Sequence, residues 1–160
     1  MIKNFEKENI NSCSYDFRLG EIFKHEKISF VDTEKGDVPK LKELKLPYIL
    51  KPGEYVLGRT IEEFDTPLDL MSIYAIKSHA FRIGLNILCG LNDPGYKGKA
   101  VFGIQNVSKN KVKLFLGMQL LETAFVDLKG DSVPIQTKYM GGNLIWVFLH
   151  ILSYWRELLE

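Results

Sequence analysis

Turn-forming groups punctuate this chain so often that little room is left for long helices. They include Leu19-Gly20, Lys35-Gly36-Asp37, Lys51-Pro52-Gly53, Asn92-Asp93-Pro94-Gly95, Lys97-Gly98, Ser108-Lys109-Asn110, Leu116-Gly117 and Lys129-Gly130-Asp131. Glycine supplies positive φ, proline presets φ, and Asn and Asp side chains bond to their own backbone, so each group ends a regular element. Between them lie short runs rich in β-branched and aromatic residues: Ile28–Val31, Glu54–Leu57, Ala100–Ile104, Val112–Phe115 and Thr123–Val126. Glu54–Leu57 and Val112–Phe115 alternate apolar with polar residues, the period of a half-buried strand. Many short strands joined by frequent turns predict an all-β sandwich or barrel.

Two stretches have helical character. Ser78–Ile83 fits one turn or a short helix, and the end of the chain, Leu144–Glu160, carries leucines, Trp155 and Arg156-Glu157 in a helix-forming composition. With 160 residues, and no linker or repeat, the chain reads as one domain over residues 1–142 plus a distinct C-terminal tail over 143–160. The 21 basic and 20 acidic residues leave a formal net charge of +1. That balance offers no field for nucleic acid or an anionic membrane, though a small anion needs only a local cluster of donors. Cys13 and Cys89 form no CxxC pair, and the charged start, Met1–Asn11, lacks the apolar core of a signal peptide. The chain therefore reads as cytoplasmic, with reduced thiols.

Two familiar chemistries are missing. His25, His79 and His150 stand apart from one another and from both cysteines, so the ligand set of a zinc deaminase is absent. No GxxxxGK[ST] phosphate loop occurs. A dense polar block remains at Lys77-Ser78-His79-Ala80-Phe81-Arg82. Arg82 can hold two phosphate oxygens at once, and Ser78 with nearby backbone amides can donate to others. A solvated charged turn explains the same residues equally well. Asp93 in Asn92-Asp93-Pro94-Gly95 reads first as a turn-former, and second as a carboxylate able to activate water or hold a sugar hydroxyl.

Motif order goes further than composition. Ser14-Tyr15-Asp16-Phe17-Arg18-Leu19-Gly20 resembles the SxDLRLG motif of dCTP deaminases, and Leu50–Thr60 with Glu62 and Pro67 resembles their LxPGExxLxxTxE segment. Lys77–Leu85 resembles RSSxARxGL, and Asp93–Gly98 resembles DPGxxG. Gly117–Leu120 resembles GMxI, and Lys138-Tyr139-Met140-Gly141 resembles KYxG. These matches run in family order over residues 2–142, so the chain is identified as a member of the dUTPase and dCTP deaminase superfamily.

The resemblance implies a β-clip, or distorted double-stranded β-barrel, with little helix. It also implies a homotrimer with active sites between subunits, acting on a pyrimidine deoxynucleoside triphosphate with magnesium (Mg2+). Carried over by motif, Ser78 and Arg82 would bind the triphosphate, with Lys77 in place of an arginine and His79 in place of a serine. Val101 would line the nucleotide site, and Lys138 would close over the phosphates from the tail. Asp93 would lie near the deoxyribose and position or deprotonate the attacking water, and Asp16 would face the water shell of magnesium.

One departure bears on the reaction. In the deaminases, the strand after DPGxxG carries a glutamate that shuttles protons at cytosine C4; counted from Asp93, its place is Gly103. Glycine has no proton to move, and general acid–base catalysis contributes about 10²–10⁴-fold. Phosphoanhydride cleavage does not need that group, since it rests on positioning and electrostatics. Glu122 stands where a glutamine is usual, and the tail after KYxG departs from the family's glutamine-rich form. The expected activity is hydrolysis of dUTP to dUMP and pyrophosphate. The alternatives are a dCTP deaminase producing dUTP, in which Gly103→Glu raises the rate, and a catalytically silent nucleotide-binding member.

Overall fold

The computed structural model describes residues 1–32, 34, 39–134, 140–142 and 144. Its strands, in chain order, are β1 (Ile2–Lys3), β2 (Tyr15–His25), β3 (Leu41–Leu44), β4 (Tyr48–Leu50), β5 (Tyr55–Asp65) and β6 (Leu70–Ile76). They continue with β7 (Leu85–Leu88), β8 (Leu91–Asn92), β9 (Lys97–Asn106), β10 (Val112–Leu114) and β11 (Gln119–Asp127). One short helix, α1 (Ser78–Arg82), joins β6 to β7, and a 3₁₀ turn covers Lys7–Asn9. The main sheet runs β7-β9-β5-β2-β11-β6-β8, with β1 added to β5 and β3 to β2, while β4 and β10 pair separately. All pairings are antiparallel. This is the expected curled, all-β barrel with little helix.

The curl comes from β2. Its first half pairs with β11, Asp16 opposite Glu122, and its second half pairs with β5, Phe23 opposite Leu57. The register shifts between Leu19 and Glu21. Gly20 lies at that switch, where an added Cβ would stand 3.1 Å from the Thr60 carbonyl and the Ile61 amide. A bulged strand bends and twists more sharply, which folds one sheet over onto itself.

The enclosed face is apolar. Phe17, Leu19, Ile22, Leu50, Val56, Phe64, Ile104, Leu114 and Leu120 are all fully buried. Phe17 stacks on Phe64 with ring centroids 4.8 Å apart. Strict alternation along β5 sends Val56, Gly58, Thr60, Glu62 and Phe64 inward. Two of these are polar, and both are satisfied. Thr60 donates to the Glu62 carbonyl at 2.7 Å and accepts from the Ala100 amide at 3.0 Å. The Glu62 carboxylate accepts from the Arg18 amide at 2.9 Å and from Arg18 Nε at 2.6 Å. Arg18 reaches on to Glu6 and to the Asn4 carbonyl, binding the first residues to the barrel.

One strand expectation is corrected. Ile28–Val31 lies in the connection between β2 and β3, outside any strand. β2 turns back onto β3, His25 opposite Leu41, and Ile28–Val31 pairs with no strand. Ile28, Phe30 and Val31 are accordingly exposed. Apart from Leu144, the tail over 143–160 lies outside the described residues.

Candidate functional site

Asp93 follows β8 in a tight turn. Its carbonyl accepts from the Tyr96 amide at 3.2 Å, with Pro94 second and Gly95 third at φ +76°. Proline followed by a glycine at positive φ makes this a type II turn. Two backbone bonds to Thr66, from Gly95 at 3.1 Å and to Tyr96 at 2.9 Å, pin it. Asn92, buried beneath, donates to Thr66 Oγ1 at 2.8 Å. The Asp93 side chain is exposed and makes no hydrogen bond or ion pair among the described residues. A fixed backbone thus presents a free carboxylate.

The polar block behaves differently from one residue to the next. Ser78 does begin α1, and Ser78, His79 and Arg82 are exposed. The first amides of a helix lack partners within it, so those of Ser78 and His79 are available to an anion. Arg82 lies 5.8 Å over the Phe81 ring and has no ion pair among the described residues. It borders an open groove of about 570 Å³ with Lys111 and Lys113. Lys77 is already committed. Its ammonium forms an ion pair with Asp16, whose other oxygen accepts from Asn11 at 2.8 Å. Asp16 is buried, and beside it Ser14 donates to Glu122 at 3.0 Å.

Asp16 and Glu122 are register partners across β2 and β11, with Asp16 held by Lys77 and Asn11 and Glu122 by Ser14. Among the described residues, no group of three or more His, Cys, Asp or Glu side chains forms a metal cage. A magnesium ion that keeps most of its waters needs few protein ligands, and Asp16 is the residue that could face such a water shell.

The register separates the two halves of the sequence-derived site. Asn92 pairs with Ser72 on β6, so Asp93 lies beyond the Met71 end. Lys77 and α1 follow Ile76 at the other end. The five residue steps from Ser72 to Lys77, just past the end of β6, span about 16 Å of extended chain. Asp93 and the Ser78–Arg82 group therefore do not meet within one chain.

Val101 and Gly103 share the outward face of β9, opposite Arg59 and Leu57 of β5. Gly103 is buried because Tyr55 leans over it. A Cβ built on Gly103 would stand 2.6 Å from the Tyr55 hydroxyl, 2.7 Å from its ring and 3.1 Å from Leu88. Tyr55 in turn stacks on His25, ring centroids 5.9 Å apart. This alters the expectation for Gly103→Glu. A side chain there collides with a stacked ring, so the single change disturbs packing before any proton transfer can follow.

Beside Val101, Arg59 pairs with Glu21, and Lys99 approaches the same carboxylate at 3.4 Å. The Arg59 hydrogen bond holds the Glu21 carboxyl below its usual range. A depressed folded-state pKa adds stability above the unfolded value, about 4.3, that is lost as pH falls through the folded value. Glu21→Gln is expected to cost about 1 kcal/mol at pH 7 and almost nothing near pH 2. Urea midpoints of both proteins across that range measure it.

The glycines of two motifs meet here. Gly98, at φ +138°, packs on Gly141 and Gly142, and an added Cβ would fall 2.5 Å from their backbone. The Gly141 amide donates to the Lys97 carbonyl at 2.6 Å, and Arg59 reaches the Gly142 carbonyl at 3.4 Å. The last glycine of the KYxG motif, with Gly142 beside it, is thus anchored next to DPGxxG. Gly98→Ala combines a strained backbone with a clash, and should cost about 2–3 kcal/mol in urea unfolding. Lys138 itself lies outside the described residues.

Sequence reasoning missed Tyr55 and the Arg18–Glu62 pair. Glu62 could have been found from the inward alternation it shares with Gly58, Thr60 and Phe64. Tyr55 needed the β5–β9 register. No helix among the described residues is long and apolar enough to cross a membrane.

Comparison with known proteins agrees with this architecture. A family described as dCTP deaminase-like matches residues 1–128. A "dCTP deaminase, dUMP-forming" of Dictyoglomus thermophilum is 32% identical over 143 residues, covering 83% of this chain and 72% of that protein. One of Corynebacterium kroppenstedtii is 33% identical over 152 residues, covering 89% and 80%. The structure of 2'-deoxycytidine 5'-triphosphate deaminase from Agrobacterium tumefaciens superposes with TM-score 0.62 at 17% identity, over 78% of this chain and 43% of that one. A Staphylococcus bacteriophage 80alpha dUTPase gives TM-score 0.53 at 13% identity, over 86% and 95%. These structural likenesses speak to the fold, while the family match and the curated relatives speak to descent. The chain belongs to the dCTP deaminase-like family.

Proposed function

We propose that the protein hydrolyses dUTP to dUMP and pyrophosphate. The observation that carries this reading is position 103. A deaminase of this family would have a proton-shuttling glutamate there; this chain has a glycine with the Tyr55 ring against it. Hydrolysis needs instead a carboxylate for water, and Asp93 is a free one on a pinned turn.

In this reading Asp93 accepts a hydrogen bond from the attacking water and takes up its proton as the oxygen bonds to the α-phosphorus. The bond from that phosphorus to the bridging oxygen breaks, and pyrophosphate leaves. Arg82, Ser78 and the first amides of α1 hold phosphate oxygens, and Lys138 covers them from the tail. Val101 lines the nucleotide on the β9 face, and the exposed His79 lies at the edge of the phosphates. Magnesium, carried by the triphosphate with its water shell toward Asp16, would neutralise phosphate charge. A phage phi11 dUTPase structure is described with a structural Mg(II) ion. Lys77 acts through Asp16, fixing that carboxylate by their ion pair.

Because about 16 Å of extended chain separates Asp93 from α1, the complete site requires a second copy of the chain. A homotrimer, with phosphate groups on one subunit facing the Asp93 turn of the next, meets that need. Turnover should therefore fall on dilution below the assembly constant.

A second reading, dCTP deamination, is favoured by the names of the relatives, dCTP deaminases that form dUMP. Ammonia release from dCTP, followed with a coupled assay, separates the two. None is expected, and steady release would establish the second reading.

A further inference from the structure

Tyr55 does more than fill space. Its hydroxyl has no hydrogen-bond partner among the described residues, although the side chain is half-buried between His25 and Gly103. The hydroxyl is not among the buried atoms left without a partner, so it is open to solvent and available to a ligand. A phenol keeps its proton at neutral pH, and burial pushes the Tyr55 hydroxyl further up. Covering a strand glycine with an aromatic ring is a packing device in its own right, but phenylalanine would serve that purpose equally well.

The neighbours of Tyr55 share its chemistry. Across three strands, Tyr55 pairs with Gln105 and Gln105 with Asn86, one row of hydrogen-bonding side chains on the outward face. Neither amide side chain has a partner among the described residues. The adjacent row is Leu57, Gly103 and Leu88, apolar on both sides of a bare backbone. A flat ring with polar groups along one edge fits a surface of that kind. The row lies on the same face of β9 as Val101.

We propose that Tyr55 is the base-specificity residue of this site, donating its hydroxyl hydrogen to the 4-carbonyl oxygen of uracil. The assignment rests on the nucleotide reading given above. The hydroxyl lies 2.6 Å from where a Gly103 side chain would begin, so it addresses the ring edge that a shuttle carboxylate would have addressed. A phenol donates to the carbonyl of uracil directly. Toward the amino group of cytosine it must turn and accept, giving up its stronger role as a donor. The group that fills the glutamate's place would therefore also favour the base that needs no deamination.

Tyr55→Phe keeps the ring, the stack on His25 and the cover over Gly103, and removes only the hydroxyl. Binding of the α,β-imido analogues of dUTP and dCTP, measured by calorimetry with magnesium, tests the assignment. The variant should lose about 2- to 12-fold in affinity for the dUTP analogue, the worth of one neutral hydrogen bond, with a smaller loss for the dCTP analogue. Its thermal midpoint should stay at the wild-type value. Unchanged affinity, or equal losses for both analogues, overturns the role of Tyr55 and leaves the hydrolase reading standing. A wild type that binds neither analogue overturns the nucleotide reading, and this assignment with it.

Discussion

Asp93→Asn should reduce dUTP turnover by about 10²–10⁴-fold, the contribution of a positioned general base. Asparagine preserves the turn, because Asp93 contributes only its backbone carbonyl to the bond with Tyr96, while Pro94, Gly95 and Thr66 hold the rest. The exposed carboxylate has no partner to lose, so the unfolding midpoint should move by less than about 0.5 kcal/mol. Oligomer size in solution should also be unchanged. The effect should fall on kcat more than on KM, since the lost group acts on the water. Initial rates across a dUTP concentration series, with a parallel urea melt, measure both quantities. A variant that turns over normally would remove Asp93 from the mechanism.

The largest effect on stability should come from Arg18→Met. Glu62 is fully buried, and its carboxylate takes two hydrogen bonds from Arg18, with Tyr15 Oη a further 3.4 Å away. Removing the guanidinium leaves a buried charge with one backbone donor and a long phenol contact. Breaking a buried pair in this way costs about 3–5 kcal/mol. The same change frees Glu6 and the Asn4 carbonyl, so residues 1–9 should lose hydrogen-exchange protection along with the global loss. Replacing both partners, Arg18→Met with Glu62→Leu, should recover most of the stability, because the penalty belongs to the uncompensated charge. Denaturant unfolding of the three proteins decides it; a double variant as unstable as the single one would assign the cost to lost packing.

The architecture was legible wherever local chemistry determines local shape. Gly95, Gly98 and Gly117 all take positive φ at the turns where the sequence shows them. Strands β5, β9 and β11 lie over the alternating or β-branched runs. Ile28–Val31 has the same composition and forms no strand, because a strand also needs a neighbour, and β3 pairs directly with β2. The chemical residues were legible as types and less so as partners. Lys77 and Asp16 lie 61 positions apart, and only the arrangement of β2, β11 and β6 reveals that each occupies the other. Glu62 looks like one of two adjacent acids, Glu62-Glu63, until the alternation of β5 sends the first inward. The absence of a carboxylate at Gly103 could be read directly. That Tyr55 fills the vacated space could not, since they meet diagonally across β5 and β9. The separation of Asp93 from α1 is likewise a matter of strand register, which motif order along a chain does not contain.

The most direct test is to incubate the purified protein with dUTP and with dCTP separately, magnesium present, and resolve the products by chromatography. The Gly103–Tyr55 arrangement predicts dUMP and pyrophosphate from dUTP, and dCTP recovered intact. Conversion of dCTP to dUTP or dUMP would contradict it, since deamination would then proceed with Gly103 and Tyr55 where the shuttle carboxylate should be.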